Sequence, residues 1–240
     1  MVKAAAVVPA AGSGSRMGAQ IPKQYLLLAG IPLLGHTLKV LEASPVIQDI
    51  VVVTGPGEEE YCRENIVKGL GITKIKAIVS GGKERQDSVY SGILALSPVP
   101  DLVVIHDGAR PLLNPAGLLA VVEAAARYGA ATLAVPAKDT VKLADEDELV
   151  ARTLPRGRLW LTQTPQAFRR DLLLRAHRAA REANYLGTDD AGLVERLGFP
   201  VKLVRGSYRN IKVTTPEDLI IAQALLAHPT PLAPGPAGKY

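Results

Sequence analysis

The sequence predicts an α/β protein: a mainly parallel sheet with helices on both faces and a projecting β-hairpin arm. Three observations predict it. Short runs rich in valine and isoleucine alternate with longer stretches whose apolar residues recur at helical spacing. The strand–helix alternation runs through the first half of the chain, which favours parallel pairing with crossover helices. After Pro136 the pattern changes to two alternating stretches around an acidic turn, as in a hairpin. This is a Rossmann-like order, and ligands of such sheets sit at the carboxyl ends of the strands.

The elements follow in order. Residues 3–9, 49–54, 75–79, 102–106 and 132–135 read as buried strands. Residues 33–43, 58–68, 84–96 and 115–128 read as the helices between them. The stretches 140–143 and 149–154, around the turn Asp145–Glu148, form the arm, which spans about 137–160. A lone hairpin is marginal in water, so it is expected to pack on something, and a second copy of the chain is the natural partner. Helices at 169–183 and 188–197, a strand at 201–204 and a helix at 216–227 complete one domain, 1–227. The remainder, 228–240, contains four prolines and two glycines and is expected to be disordered.

Composition narrows the function. The chain has 240 residues, 48% of them hydrophobic, enough for a substantial core. No apolar run approaches the roughly 20 residues that cross a bilayer. Cys62 is the only cysteine, which excludes a disulfide framework and a cysteine metal cluster. Met1-Val2-Lys3 leads straight into a strand without the length of a signal peptide, so the cytoplasm is the expected location and no membrane is expected. Net charge is +5, but the cations are scattered, with no basic run or aromatic interleaving. That argues against nucleic acid and for small anions.

Three stretches after strands carry chemistry. In AAGSGSRMGAQIPK the glycines Gly12, Gly14 and Gly18 can turn backbone N–H groups toward a phosphate. Their spacing misses the dinucleotide fingerprint by one residue, and no acidic residue ends the next strand, where Thr54 and Gly55 follow Val53. No Gly-Lys-Ser/Thr of a Walker loop is present. Arg16 and Lys23 can instead meet charge developing on a reacting phosphorus. In GGKERQDSV, two glycines precede a helix start bearing Ser88, a place for an anion or a base edge. In VVIHDGARP, a buried strand ends in His106 and Asp107, with Arg110 nearby. Asp107 could accept sugar hydroxyls, hold Mg²⁺, or simply pair with Arg110 to shape the turn. His106 reads as structural, because phosphoryl transfer to an already anionic nucleophile needs no general base.

PAAGSGSRMGAQIPKQY, GGKERQDSV, HDGARP, KDTVK, TQTPQAF, TDDA and NIKVTTPED occur in this order between residues 9 and 218. Together they resemble the 2-C-methyl-D-erythritol 4-phosphate cytidylyltransferases of the non-mevalonate isoprenoid pathway. Ribitol-5-phosphate cytidylyltransferases share the first motifs and form the alternative; a nucleotide-binding module without catalysis is a third reading. The resemblance implies transfer of CMP from CTP to the sugar phosphate, with release of pyrophosphate. It implies backbone contacts to CTP from Ala10, Ala11, Gly12 and Gly14, and a cytosine pocket lined by Gly82, Lys83 and Ser88. Arg16 and Lys23 would stabilise the transition state. Asp107, Arg110, Thr164, Thr188 and Lys212 would surround the acceptor. Thr140 and Arg156, in the arm, would complete the neighbouring subunit's site in a homodimer. Arg158 is the rival for the arm cation, and the count back from Trp160 favours Arg156. Mg²⁺ would be held mainly through the nucleotide phosphates, and no protein residue is assigned as its ligand.

Overall fold

Residues 4–10, AAAVVPA, form a strand, β1 (Ala4–Ala10), that is buried on both faces. Ala4, Ala6, Val8 and Ala10 point into one apolar layer, and Ala5 and Val7 into another. Strand side chains alternate with a period of two, so a strand apolar at every position belongs at the centre of a sheet covered on both sides. The computed structural model, which describes residues 2–12 and 21–228, places it there.

After β1 come a short ribbon of β2 (Leu27–Leu28) and β3 (Ile31–Pro32), then α1 (Leu33–Ala43) and β4 (Ile47–Thr54). The helix expected over 58–68 begins as α2 (Glu59–Tyr61) and continues as π-helical turns over Cys62–Lys68. Next are β5 (Ile75–Ser80), α3 (Arg85–Leu94), β6 (Leu102–Ile105), α4 (Pro115–Tyr128) and β7 (Ala130–Pro136). The arm carries β8 (Lys142–Ala144) and β9 (Val150–Thr153). Then follow β10 (Trp160–Arg169), α5 (Arg170–Glu182), α6 (Asp190–Arg196), β11 (Lys202–Arg205) and α7 (Pro216–Ala227).

The main sheet has seven strands in the order β11-β7-β10-β6-β1-β4-β5. All pairings are parallel except those of β10, which runs antiparallel to both β6 and β7. The sequence pattern does not mark β10 as a strand, and Pro165 is the reason. Proline cannot donate to a ladder and argues against a central strand. Here the β10–β7 register slips between Thr162 and Gln166, around that proline. Gln163, Thr164 and Gln166 are buried as well, so the strand lacks an apolar signature.

Helices cover both faces. Leu34, Leu38 and Leu41 of α1 and Leu118, Val121, Val122 and Ala125 of α4 pack on one. Val89 and Ile93 of α3, with α5 and α6, pack on the other. At Gly92 a Cβ would lie 2.4 Å from Val7 Cγ1, so only glycine lets α3 settle this close to β1. The helix ends carry local signals. Asn114 Oδ1 accepts from Ala116 N at 3.0 Å with Pro115 in the first turn of α4, and Gly129 closes that helix at φ 86°. Thr215 and Asp218 form a capping box at the start of α7.

The arm turns where the sequence placed it. Asp145 Oδ1 accepts from Asp147 N at 3.1 Å and from Leu149 N at 2.9 Å, and Glu148 takes the left-handed conformation at φ 62°. Every residue of β8 and β9 is exposed. Of the segment 228–240, expected to be disordered, residues 229–240 lie outside the described residues. Among the described residues no helix is long and apolar enough to cross a membrane.

Candidate active site

β1 and β6 are neighbours in the sheet, and the strand order reverses between them. The chain leaves β1 toward β4 on one side and returns to β6 on the other, so the loops after these strands part and leave a crevice. A cavity of about 190 Å³ lies there. Ala10, Ala11 and Gly12 line it from β1, and Gly82, Lys83 and Ser88 from the start of α3, with Lys23 joining them. The structure thus brings together all the expected nucleotide-binding residues that it describes. Gly14, expected in the same group, and Arg16, expected to act with Lys23, lie outside the described residues.

The turn after β5 is shaped by its glycines. A Cβ on Gly81 would come within 2.5 Å of Ala11 Cβ and 2.7 Å of Ser88 Oγ. Gly82 N donates to Ser88 Oγ at 3.2 Å, and that hydroxyl donates to Glu84 O at 3.2 Å. Lys23 sits on a single 3₁₀ turn, Lys23–Tyr25. Glu58 Oε2 anchors this turn, accepting from both Gln24 Nε2 and Tyr25 Oη at 3.0 Å.

A second cavity, of about 430 Å³, adjoins the first. Asp107, Arg110, Thr164, Thr188 and Lys212 line it, which gathers the expected acceptor residues except Thr140. Arg85, Asp107 and Lys212 line both cavities and therefore form their junction. Lys212 Nζ is 2.8 Å from Asp107 Oδ2, Arg85 Nε donates to Asp107 Oδ1 at 3.0 Å, and Arg110 Nε stands 4.0 Å from Oδ2. The Asp107–Arg110 pair considered from the sequence is therefore the loosest of the three contacts. Burial alone would raise the Asp107 carboxyl, but Arg85 and then Lys212 hold it well below the usual carboxylate range.

The backbone around Asp107 is fixed by a buried polar network. Asp107 N donates to Thr164 Oγ1 at 3.0 Å, and His106 Nδ1 shares that hydroxyl at 3.0 Å. His106 Nε2 is 3.2 Å from Arg110 O. Fully buried, His106 is pushed down to about 4 by desolvation and is neutral near pH 7. Arg110 Nη1 donates to Asn210 O at 2.7 Å, and Asn210 Nδ2 to Thr164 O at 2.8 Å. These bonds join the end of β6, the middle of β10 and the segment leading to Lys212.

Arg85 was not singled out from the sequence, nor were the groups behind it. Arg85 Nη1 donates to Asp190 Oδ2 at 2.8 Å, and Asp190 Oδ1 is 3.0 Å from His177 Nε2. The motifs RQDSV and TDDA contain Arg85 and Asp190, but only the fold shows that they meet.

The two arm residues stand apart from these cavities. Arg156 Nη1 donates to Lys138 O at 2.6 Å at the base of the arm, and Thr140 is exposed there. Among the described residues, no three His, Cys, Asp or Glu side chains converge as a metal site. The carboxylate at the junction, Asp107, already has a cation on each oxygen.

The family model described as "IspD: 2-C-methyl-D-erythritol 4-phosphate cytidylyltransferase" matches residues 4–228. The 2-C-methyl-D-erythritol 4-phosphate cytidylyltransferase of Pelotomaculum thermopropionicum is 62% identical over 226 residues, covering 94% of this chain and 95% of its own. The enzyme of the same name from Desulforamulus reducens is 55% identical, covering 92% and 94%. The crystal structure of the Thermus thermophilus cytidylyltransferase superposes with a TM-score of 0.79 at 35% identity, over 95% of this chain and all of that one. The 4-diphosphocytidyl-2C-methyl-D-erythritol synthase of Anaerococcus prevotii superposes with a TM-score of 0.84 at 33% identity, over 95% and 97%. With its cavities at the β1–β6 crevice and this likeness along nearly its whole length, the chain belongs to the 2-C-methyl-D-erythritol 4-phosphate cytidylyltransferase (IspD) family.

Proposed function

We infer that the protein transfers the cytidylyl group of CTP to 2-C-methyl-D-erythritol 4-phosphate, giving 4-diphosphocytidyl-2-C-methylerythritol and pyrophosphate. The observation that carries this reading is the junction: two cavities, each lined by one expected set of ligand residues, meet at Asp107, Arg85 and Lys212. A phosphate oxygen of the acceptor attacks the α-phosphorus of CTP, and the bond to the leaving pyrophosphate breaks. Both reactants are anionic, so the protein's task is to hold them together against repulsion and to meet the charge that builds up. Lys23 and Lys212 serve that task within this chain, and Arg16, singled out by the sequence, joins them. Asp107, Arg110, Thr164 and Thr188 bind the acceptor. A small pocket formed by Gly82, Lys83 and Ser88 excludes purines by size.

The assignment extends to the cofactor and the assembly. Mg²⁺ on the nucleotide phosphates supplies charge neutralisation when bound. A homodimer forms through the arm, and Thr140 and Arg156 reach the partner's site. What supports this is that β8 and β9 bury no residue, while Leu143, Leu149 and Val150 stand 49–65% exposed on the arm. The enzyme works in the cytoplasm, where CTP is available.

Pyrophosphate release, measured with CTP, Mg²⁺ and a panel of polyol phosphates, tests the reading. The methylerythritol phosphate is expected to be the preferred acceptor. Preference for ribitol 5-phosphate, which the family assignment does not favour, would overturn it. CTP binding without release from any acceptor would point to a module that only binds.

A further inference from the structure

Arg85 reaches two carboxylates from different parts of the fold. Its Nε contacts Asp107 just after β6, and its Nη1 contacts Asp190 in the first turn of α6. Behind Asp190 stands His177 of α5, fully buried, with its ring stacked on Tyr90 at 5.9 Å between centroids. Tyr90 belongs to the same helix as Arg85, so α3 supplies both the guanidinium and the ring that steadies the last member of the row. The row reads His177–Asp190–Arg85–Asp107–Lys212, and it runs from beneath the sheet to the junction of the cavities.

Stability does not account for it well. Burying charges carries a desolvation penalty that apolar side chains avoid, and well-packed apolar replacements of buried ion pairs are often neutral or better. Helices α3, α5 and α6 already share an apolar layer in which such replacements would fit. A guanidinium, however, offers donors in a rigid fork, so fixing one carboxylate through Nη1 also fixes what Nε can hold.

We propose that Arg85, anchored by Asp190 and His177, is a positioning residue that fixes Asp107, and through it Lys212, between the two substrates. The proposal rests on the cytidylyl-transfer reading above. Held at Oδ1 by Arg85, Asp107 directs Oδ2 toward Lys212. Released, the carboxylate turns toward Arg110, whose Nε is only 4.0 Å away, and the lysine loses its register.

The test is Asp190→Asn, which removes the anchor while touching neither cavity wall, alongside Arg85→Lys, which keeps the charge but loses the fork. With each substrate varied in turn, both variants are expected to raise the KM for the sugar phosphate about tenfold and lower kcat about tenfold. For Asp190→Asn the calorimetric Kd for CTP is expected to stay within about twofold, because Asp190 lines neither cavity and the glycine turns do not depend on it. Unchanged kinetic constants with a lowered melting temperature would overturn the proposal, as would equal weakening of both substrates. Failure of both variants to fold would assign the row to stability and overturn it too. A wild-type protein that releases no pyrophosphate with this acceptor would instead overturn the functional reading.

Discussion

Lys212 Nζ lies 2.8 Å from Asp107 Oδ2, closing a lysine from the segment before α7 onto a carboxylate at the end of β6. The contact sits where both cavities meet, so the ammonium is held within reach of either ligand. Lys212→Ala is expected to lower kcat/KM for the sugar phosphate by about 10²-fold or more, the scale of one preorganised charge contact. Near-normal turnover in steady-state assays would remove Lys212 from the reaction.

Lys23 is expected to act differently. Its turn is pinned by Glu58, and a Cβ on Gly12 would lie 4.0 Å from its Cε. Lys23→Ala is expected to lower kcat by about 10²–10³-fold with an unchanged circular dichroism melt, since the group stabilises charge and not the core. A variant with wild-type kcat would contradict this.

The nucleotide cavity depends on Gly81. Its Cβ would meet Ala11 at 2.5 Å and the Thr54 carbonyl at 3.2 Å. Gly81→Ala is expected to weaken CTP binding about tenfold, in line with overpacking effects of about 1–3 kcal/mol. Calorimetry with CTP reads this directly, and unchanged affinity would show that the turn adapts.

Stability is expected to fall in acid through His106. Its folded pKa, pushed down to about 4, is below the ordinary histidine value. The unfolded chain therefore takes up a proton first, and stability declines as pH drops from about 6.5 toward 4, by about 3 kcal/mol at most. Asp107 and Asp190 are held low by Arg85, so their share of stability is intact above the ordinary aspartate range and is lost only below it. Urea unfolding at several pH values, compared with His106→Gln, isolates the histidine. Parallel pH profiles would refute the assignment.

Arg156 serves the partner's site if the arm is exchanged. A random mixture of Lys23→Ala and Arg156→Ala subunits is then expected to recover about a quarter of wild-type turnover, because half the dimers carry one intact site of two. A mixture as inactive as its parents would place Arg156 within its own subunit's site, an Arg156→Ala parent with wild-type turnover would place it outside the reaction, and Arg158→Ala tested alone separates the two arm cations.

Much of the fold was legible because its signals are local. Buried parallel strands carry unbroken apolar runs, as in β1 and in residues 50–53 of β4, and Asn114, Gly129 and Thr215 mark helix ends by their own chemistry. The turns after β1, β5 and β6 could be singled out because glycines and charges there break an apolar pattern. β10 carries no strand signature because Gln163, Thr164 and Gln166, whose partners lie in other elements, are among its buried residues and because Pro165 interrupts it.

By itself the sequence determined the layered α/β order, the phosphate-handling loops and, through seven motifs in register, the family they resemble. Only the tertiary structure decided that Arg85, Asp107 and Lys212 form one junction, and that Asp190 and His177 stand behind it. Local propensity and pattern act between near neighbours along the chain. The charges of this row lie far apart in sequence and acquire their partners only when the sheet brings the strand ends together.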